Sequence, residues 1–471
     1  YDQQTFWYSA KNAESGLTGC YLPLRNGSMF GGMAIVMEEC ATPNAYNYAN
    51  TLNWNDLAKG SHTADGSIFA GRWKDAYTGI GRCNMLLQHI GLNKELSAEA
   101  VTQMKAQARF LRALYYSVLT TYYYKAPLIV DSPDISQVGR TRTDRAEMIR
   151  FIVDELGDIA KILPRTYTAK SDQGRPTAGA ALALRARVLN FEASALCNPG
   201  HETKPWEEAA DAAWEVMELG VYSLYQDGYA KLFTEAAEHS SESIFNVEAV
   251  ANPLGLGHST DIVMRQYNSA APLRNFIDSY WMKDGKPREE SAYADSEGYA
   301  DLDPRFAQTI VYPGSTWMGE TVKTDNTTGF IYKKYTVYTE KVPGDQELNL
   351  GENCSPTNIM LLRYADILLM YAEAKNELGE MTEEIWNRTV KAIRQRAGFT
   401  TSSAWAYPGG DADEIRRQIR YERRVELAGE GTYYNDLRRW REAENAMNNL
   451  SIYKSDGTLI GTRNFNKERD Y

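Results

Sequence analysis

The chain has 471 residues, 43% of them hydrophobic and 24% charged, which is the balance of an ordinary globular protein with a large core. Its net charge of −11 excludes a general nucleic-acid binder, because neutralising phosphates needs a basic face. No apolar run reaches the length of a membrane span, and the five cysteines at 20, 40, 83, 197 and 354 form no C-x-x-C pair. A zinc or redox motif is therefore absent, and the thiols read as buried, with at most one or two long-range disulfides among them.

In chain order, Gln3 to Tyr21 has helical spacing, ended by Asn26-Gly-Ser. Glu38 to Gly60 is rich in Asn and aromatics without a period, and reads as a loop. Ser67 to Ile90 is predicted helical, with Trp73 and Tyr77 on the core side. A second long helix follows from Ser97 to about Tyr122. Helices are predicted over Thr143 to Leu163, Thr177 to Leu196 and Pro205 to Leu219, the last with Pro in its first turn. Small-residue helix pairs joined by short turns point to tetratricopeptide-type repeats with an irregular period. Trp206 and Trp214 are expected to pack inside their repeat.

From Tyr225 to Cys354 the helical pattern mostly stops. Ser243 to Glu248 and Gly329 to Tyr335 are strand candidates, Asn275 to Met282 a short helix, and Asn252 to Gly257 a turn-rich loop. Pro356 to Leu378 is then read as one helix, paired with Glu383 to Ala397. From Ile359 to Ala374 it is apolar nearly all round, which marks a buried helix. Its charges Arg363, Asp366 and Glu373 must find partners, since an unpaired buried charge costs several kcal/mol. Ile419 to Gly431 and Asn435 to Trp440, dense in mixed charge, are the expected source.

Several stretches resemble the SusD/RagB family. They are Leu362-Arg-Tyr-Ala-Asp-Ile-Leu-Leu-Met-Tyr-Ala-Glu-Ala374, Ile393-Arg-Gln-Arg-Ala-Gly398, and Ile419-x-x-Glu-Arg-x-x-Glu-Leu-x-x-Glu-Gly431 with Asp436-Leu-x-x-Trp440. Trp73-x-x-x-Tyr77-x-x-Ile80-x-x-x-Asn84, Arg112-Ala-Leu-Tyr-Tyr116, Gly174-Arg-Pro-Thr177, Asp303-Pro-Arg-Phe306 and Lys333-Lys-Tyr335 extend the likeness over nearly the whole chain. The resemblance implies a mainly α fold of tetratricopeptide-like helix pairs, with a loop-rich insertion holding short strands. It implies a single unit over 1–471: a scaffold at about 67–224 and 356–440, and ligand-binding loops at about 225–354 and 38–60. It also implies a surface lipoprotein of the outer membrane, anchored by a lipidated Cys upstream of Tyr1. Such a protein captures an oligosaccharide, or in some members a peptide, and delivers it to a SusC-like TonB-dependent transporter. It is not an enzyme and has no cofactor.

Sugar recognition has its own chemistry. A pyranose ring shows an apolar C–H face and a hydroxyl edge, so flat aromatic rings beside Asn, Asp, Gln or Arg are the signal. With 31 Tyr and 10 Trp such rings are plentiful, and two regions place them beside amides. One holds Tyr46, Tyr48, Asn50, Trp54 and Asn55. The other holds Arg265, Tyr267, Asn268, Tyr293, Tyr299 and Trp317. Family binding sites draw on these same regions, so these eleven residues are the candidate ligand-binding set.

Rival enzyme readings lack parts. His201-Glu202-x-x-Pro205 has Pro where H-E-x-x-H needs its second His. Gly257-His-Ser-Thr-Asp261 lacks the second Gly of a nucleophile elbow. No pattern selects a carboxylate pair from 62 acidic residues. The acidic loop Asp295 to Asp303 does not fit calcium-loop spacing and reads as solvated.

Overall fold

Eight helices pack on one another in relay. Ala10–Tyr21 lies on Ser67–His89, which packs on Ala98–Tyr123, then Arg145–Ile159, then Ala178–Ala193, then Thr203–Glu218. The next partner of Thr203–Glu218 is Tyr364–Glu377, which in turn packs on Ala412–Glu426. This computed structural model describes residues 3–250, 256–317, 320–322, 327–336 and 353–464. The chain thus leaves the relay after Glu218 and re-enters it at Tyr364, at the helix it left. That closed excursion is why the repeat period looks irregular in sequence.

Small residues set the helix spacing. Ala180, Ala181, Ala183 and Ala186 are fully buried on Ala178–Ala193. At Gly79 a Cβ would meet the Tyr115 ring at 2.2 Å, so only Gly lets the second and third helices approach this closely. Side-chain caps start the helices: Ser97 Oγ accepts from the Ala100 amide at 3.1 Å, and Thr177 Oγ1 from the Ala180 amide at 3.1 Å. Trp214 packs against Tyr371 with ring centroids 5.5 Å apart, and Trp206 is buried, as expected of rings inside a repeat.

Four expectations are corrected. The apolar stretch does not become one helix: Ile359–Arg363 is a strand antiparallel to Ser243–Val247, with Val247 opposite Ile359 and Ser243 opposite Arg363. A continuous apolar run carries no period, so it cannot distinguish a buried strand from a buried helix. The helix begins only at Tyr364, with Arg363 extended at its N-cap. The first predicted helix is broken into Gln3–Phe6 and Ala10–Tyr21, the second restarted by Ser9, whose Oγ accepts from the Asn12 amide at 3.2 Å. In the excursion the strand near Gly329 shrinks to Ile331–Tyr332 and the short helix to Arg274–Ile277. Most of the turn-rich loop at Asn252–Gly257 lies outside the described residues.

The junction at Arg363 is held by charge. Arg363 is 2% exposed, and its Nη1 donates to Glu242 Oε1 at 2.8 Å and Glu426 Oε1 at 2.9 Å. Its Nε and Nη2 reach the Glu430 carboxylate at 2.7 and 2.8 Å. Arg396 pairs with the same Glu242 and Glu426. Arg305 joins Asp303, Glu422 and Glu426, and Arg394 donates to Glu422 at 2.6 Å. A second set lies further along the helix. Asp366 accepts from Arg187 and Arg423, each at 2.8 Å. Asp436 bridges Arg423 and Arg439, and Arg439 holds Glu373 with bonds of 2.9 and 2.8 Å, joined by Trp440 Nε1 at 2.7 Å. The partners sought for Arg363, Asp366 and Glu373 therefore do lie between Ile419 and Trp440. Glu242 and Arg187, from the excursion and the earlier scaffold, complete them.

Burial by itself pushes the Glu426 and Glu373 carboxyls up. The surrounding guanidiniums overcome it, Arg396 and Arg363 for Glu426 and Arg439 for Glu373, and hold both down at about 2. Carboxyls lowered in the folded state contribute stability that is complete above their unfolded pKa and is lost as pH falls through the folded value. We therefore expect the melting temperature to fall steeply on acidification from about pH 4.5 to about 2. A flat melting profile over that window would contradict the assignment. Removing one member of a buried lattice leaves its partners uncompensated, so Arg363→Ala should lower stability by about 3–5 kcal/mol in denaturant titration. Ligand affinity of the folded fraction should stay unchanged.

Candidate functional site

The two aromatic regions chosen from sequence are joined in space. Ala45–Tyr46 pairs antiparallel with Ala271–Pro272, Ala45 opposite Pro272 and Tyr46 opposite Ala271. Asn47 Nδ2 adds a bond to the Ser269 carbonyl at 2.7 Å. The loop carrying Tyr48 and the loop carrying Tyr267 thus share one anchored edge. Tyr48 is 51% exposed and Tyr267 is 44% exposed, large values for aromatic rings on loops held this tightly.

The other candidates divide by what already occupies them. Trp54 is completely buried, with the Arg72 guanidinium 5.6 Å from its ring, so it has no face to offer a sugar. This corrects its assignment: Trp54–Ala58 is a short helical turn within the expected loop, and it directs the indole into the core. Trp317 is likewise buried, at 7% exposure, on the short strand Thr316–Trp317. Asn268 is buried, and its Nδ2 donates to the Phe330 carbonyl at 2.9 Å. Asn50 and Asn55 build the loop itself. The Asn55 amide donates to Asn50 Oδ1 at 3.0 Å, Asn55 Nδ2 to the Asn47 carbonyl at 2.6 Å, and Asn50 Nδ2 to Asp56 at 3.2 Å. Asn50 and Asn53 have positive φ of 49° and 66°, a conformation Asn tolerates better than most residues. The abundance of Asn here is thus explained by turn chemistry. Arg265 Nε binds Asp261 at 3.0 Å.

Tyr46, Tyr293 and Tyr299 are half-buried. Lys283 Nζ sits 4.4 Å above the Tyr293 ring. Tyr299 stacks on Phe306 with centroids 5.2 Å apart. It also lines a cleft of about 430 Å³ with Arg274, Asp278, Arg288, Ser296 and Ser455. The sequence reading missed this cleft apart from Tyr299. Arg274 and Asp278 form an ion pair at 3.3 Å with the i,i+4 spacing of a helix, which was the available signal. Ser455 arrives from the C-terminal hairpin Leu450–Tyr453/Leu459–Arg463, which no local pattern links to the excursion.

The enzyme-like fragments are used structurally. His258 Nε2 lies 2.6 Å from the Thr357 carbonyl, and Nδ1 accepts from the Thr260 amide at 3.1 Å. Burial pushes its pKa down to about 4. Ser259 Oγ bonds instead to Asn353 Oδ1 at 3.3 Å. In the acidic loop, Asp301 is held by Lys283 and Ser296, and Asp303 by Arg305 and Tyr421. Among the described residues no group of three or more His, Cys, Asp or Glu is arranged to hold a metal ion.

A helical-pair scaffold that carries one long excursion, with exposed tyrosines on paired loops, defines a binding protein built on tetratricopeptide-like repeats. The family model described as SusD family matches residues 232–470, and one described as "starch-binding associating with outer membrane" matches 28–189. The chain belongs to the SusD family. It is 24% identical over 470 residues to the SusD-like protein P25 of Formosa agariphila, covering 93% of this chain and 84% of that protein. Among solved structures it resembles a SusD-like carbohydrate-binding protein of Bacteroides fragilis, with 28% identity, a TM-score of 0.81, and 95% and 89% of the two chains covered. It also shares its fold with surface glycan-binding protein A of Bacteroides thetaiotaomicron, solved in complex with laminarihexaose, at 18% identity and a TM-score of 0.68, with 97% and 94% covered.

Burial separates structural rings from accessible ones. Trp54→Ala should lower stability by about 3–5 kcal/mol, the cost of a large core deletion. Tyr48→Ala should leave stability within about 0.5 kcal/mol of the parent. Thermal melts of the two variants check this. Equal losses would contradict the placement of these rings.

Proposed function

We propose that this protein is a non-catalytic capture protein for an oligosaccharide at the cell surface. In this reading it is held to the outer membrane by an upstream lipid anchor and passes its ligand to a SusC-like TonB-dependent transporter. The observation that carries the reading is the pair of exposed tyrosines, Tyr48 and Tyr267, on loops joined edge to edge and stiffened by their own hydrogen bonds. Exposed rings on an ordered frame suit an apolar sugar face, and they lose little entropy on binding. The cleft at Tyr299 adds what hydroxyls need: Arg274, Arg288, Asp278 and two serines beside a flat ring. Family membership and the glycan-binding relatives support the same chemistry.

The test is a glycan array followed by calorimetry on the oligosaccharide it selects. Each of Tyr48→Ala, Tyr267→Ala and Tyr299→Ala should weaken binding by about 1 kcal/mol, or about fivefold in Kd. An array on which no glycan binds, with peptides bound in the same format, would replace this reading with capture of a peptide.

A further inference from the structure

The cleft at Tyr299 differs from the exposed tyrosine loops in its charge. Two guanidiniums, Arg274 and Arg288, line it with a single carboxylate, Asp278, and no Asn or Gln side chain among the described residues. Asp278 is already engaged, 3.3 Å from Arg274 Nε. Arg288 has no carboxylate partner among the described residues; its Nη1 donates instead to the Ala294 carbonyl at 3.3 Å and the Ser296 carbonyl at 2.9 Å. That anchors one corner of the guanidinium and leaves Nε and Nη2 without a protein acceptor. Those two nitrogens form the side edge of the fork, which matches two oxygens of one anion. Ser455 Oγ, in the wall of the same cleft, is buried without a hydrogen-bond partner among the described residues. Arg274 Nη1 lies 3.0 Å from the place a Cβ would take at Gly457, so the turn of the C-terminal hairpin packs directly on that guanidinium. The neighbouring acidic loop does not cancel the charge: Asp301 is taken by Lys283 and Ser296, and neither Asp295 nor Glu297 lines the cleft.

We propose that this cleft takes an acidic sugar unit, whose carboxylate or sulfate ester is held by the side edge of Arg288 while Tyr299 lies against the ring. The inference rests on the capture reading above and narrows its ligand from any oligosaccharide to one that carries negative charge. A neutral hydroxyl donates as well as accepts, so a site built for it offers acceptors too. Here the one carboxylate is paired with Arg274, two of the loop carbonyls are filled by Arg288, and the groups left open are donors. A guanidinium already fixed by two carbonyls also loses little rotamer freedom when a ligand arrives. The net charge of −11 repels an anion only at long range, and salt screens that repulsion beyond about 8–10 Å. Selection of an acidic unit is therefore decided by contact inside the cleft.

The experiment uses a glycan array that pairs uronic-acid and sulfated oligosaccharides with neutral ones. Calorimetry then compares each bound oligosaccharide with its carboxyl-reduced or desulfated form. The expected hits carry uronate or sulfate, and removing the acid should raise Kd about tenfold. Carboxyl reduction identifies a uronate as the group held, and desulfation a sulfate ester. Raising the salt concentration should weaken binding of the acidic form and leave the neutral form unchanged. Arg288→Gln should abolish the difference between the two forms, whereas Tyr48→Ala should weaken both alike. Hits that are neutral, or an acid whose removal leaves Kd unchanged, would overturn this inference and leave the capture reading standing. An array with no glycan bound would overturn both. The comparison of ligand forms uses the unmodified chain, so it decides even if Arg288→Gln does not fold.

Discussion

The structure depends on a buried charge lattice centred on Arg363 and Glu426. Arg363 sits where the strand Ile359–Arg363 turns into the helix Tyr364–Glu377, the point at which the chain rejoins its scaffold. Its carboxylate partners come from the excursion, at Glu242, and from the last long helix and the turn beyond it, at Glu426 and Glu430. One guanidinium therefore locks three segments that are far apart in sequence. Arg is suited to this because its planar fork satisfies several acceptors at once and stays charged when buried. Apolar packing alone would hold the same segments without fixing which strand meets which helix. The lattice gives the junction a defined register.

That arrangement explains how a relay of small-faced helices tolerates a long excursion. The excursion begins after Thr203–Glu218 and ends at the helix packed against it. Its ends are therefore close in space, and residues inside it, Glu242, Asp303 and Arg305, are tied into the lattice. The candidate site is built from this material and from the loop at 45–56, on short two-residue pairings that the rigid base keeps in place. Loops positioned by a scaffold are where recognition residues concentrate.

Much of this was legible in sequence. Helical period and capping residues located the scaffold helices, and the density of charge between Ile419 and Trp440 pointed to the partners of Arg363, Asp366 and Glu373. What failed had physical causes. Ile359 to Arg363 is apolar without period, so its pairing with Ser243–Val247 was decided by tertiary contact. Trp54 looked like a recognition ring because asparagines surround it, but those asparagines serve the backbone of a left-handed turn. The direction in which a ring points from an irregular loop is set by such turns, and composition does not encode it. Arg274, Arg288 and Ser455 converge from separate segments, so no local spacing could have grouped them.

In the proposed division of roles, the charge lattice holds the fold and the loops read the ligand. Hydrogen–deuterium exchange on the protein with and without an array-selected oligosaccharide separates the two. Ligand-induced protection is expected only in segments 45–56 and 265–302, with the helices Tyr364–Glu377 and Ala412–Glu426 slow to exchange and unchanged. Protection appearing in those two helices while the loops stay unaltered would contradict it.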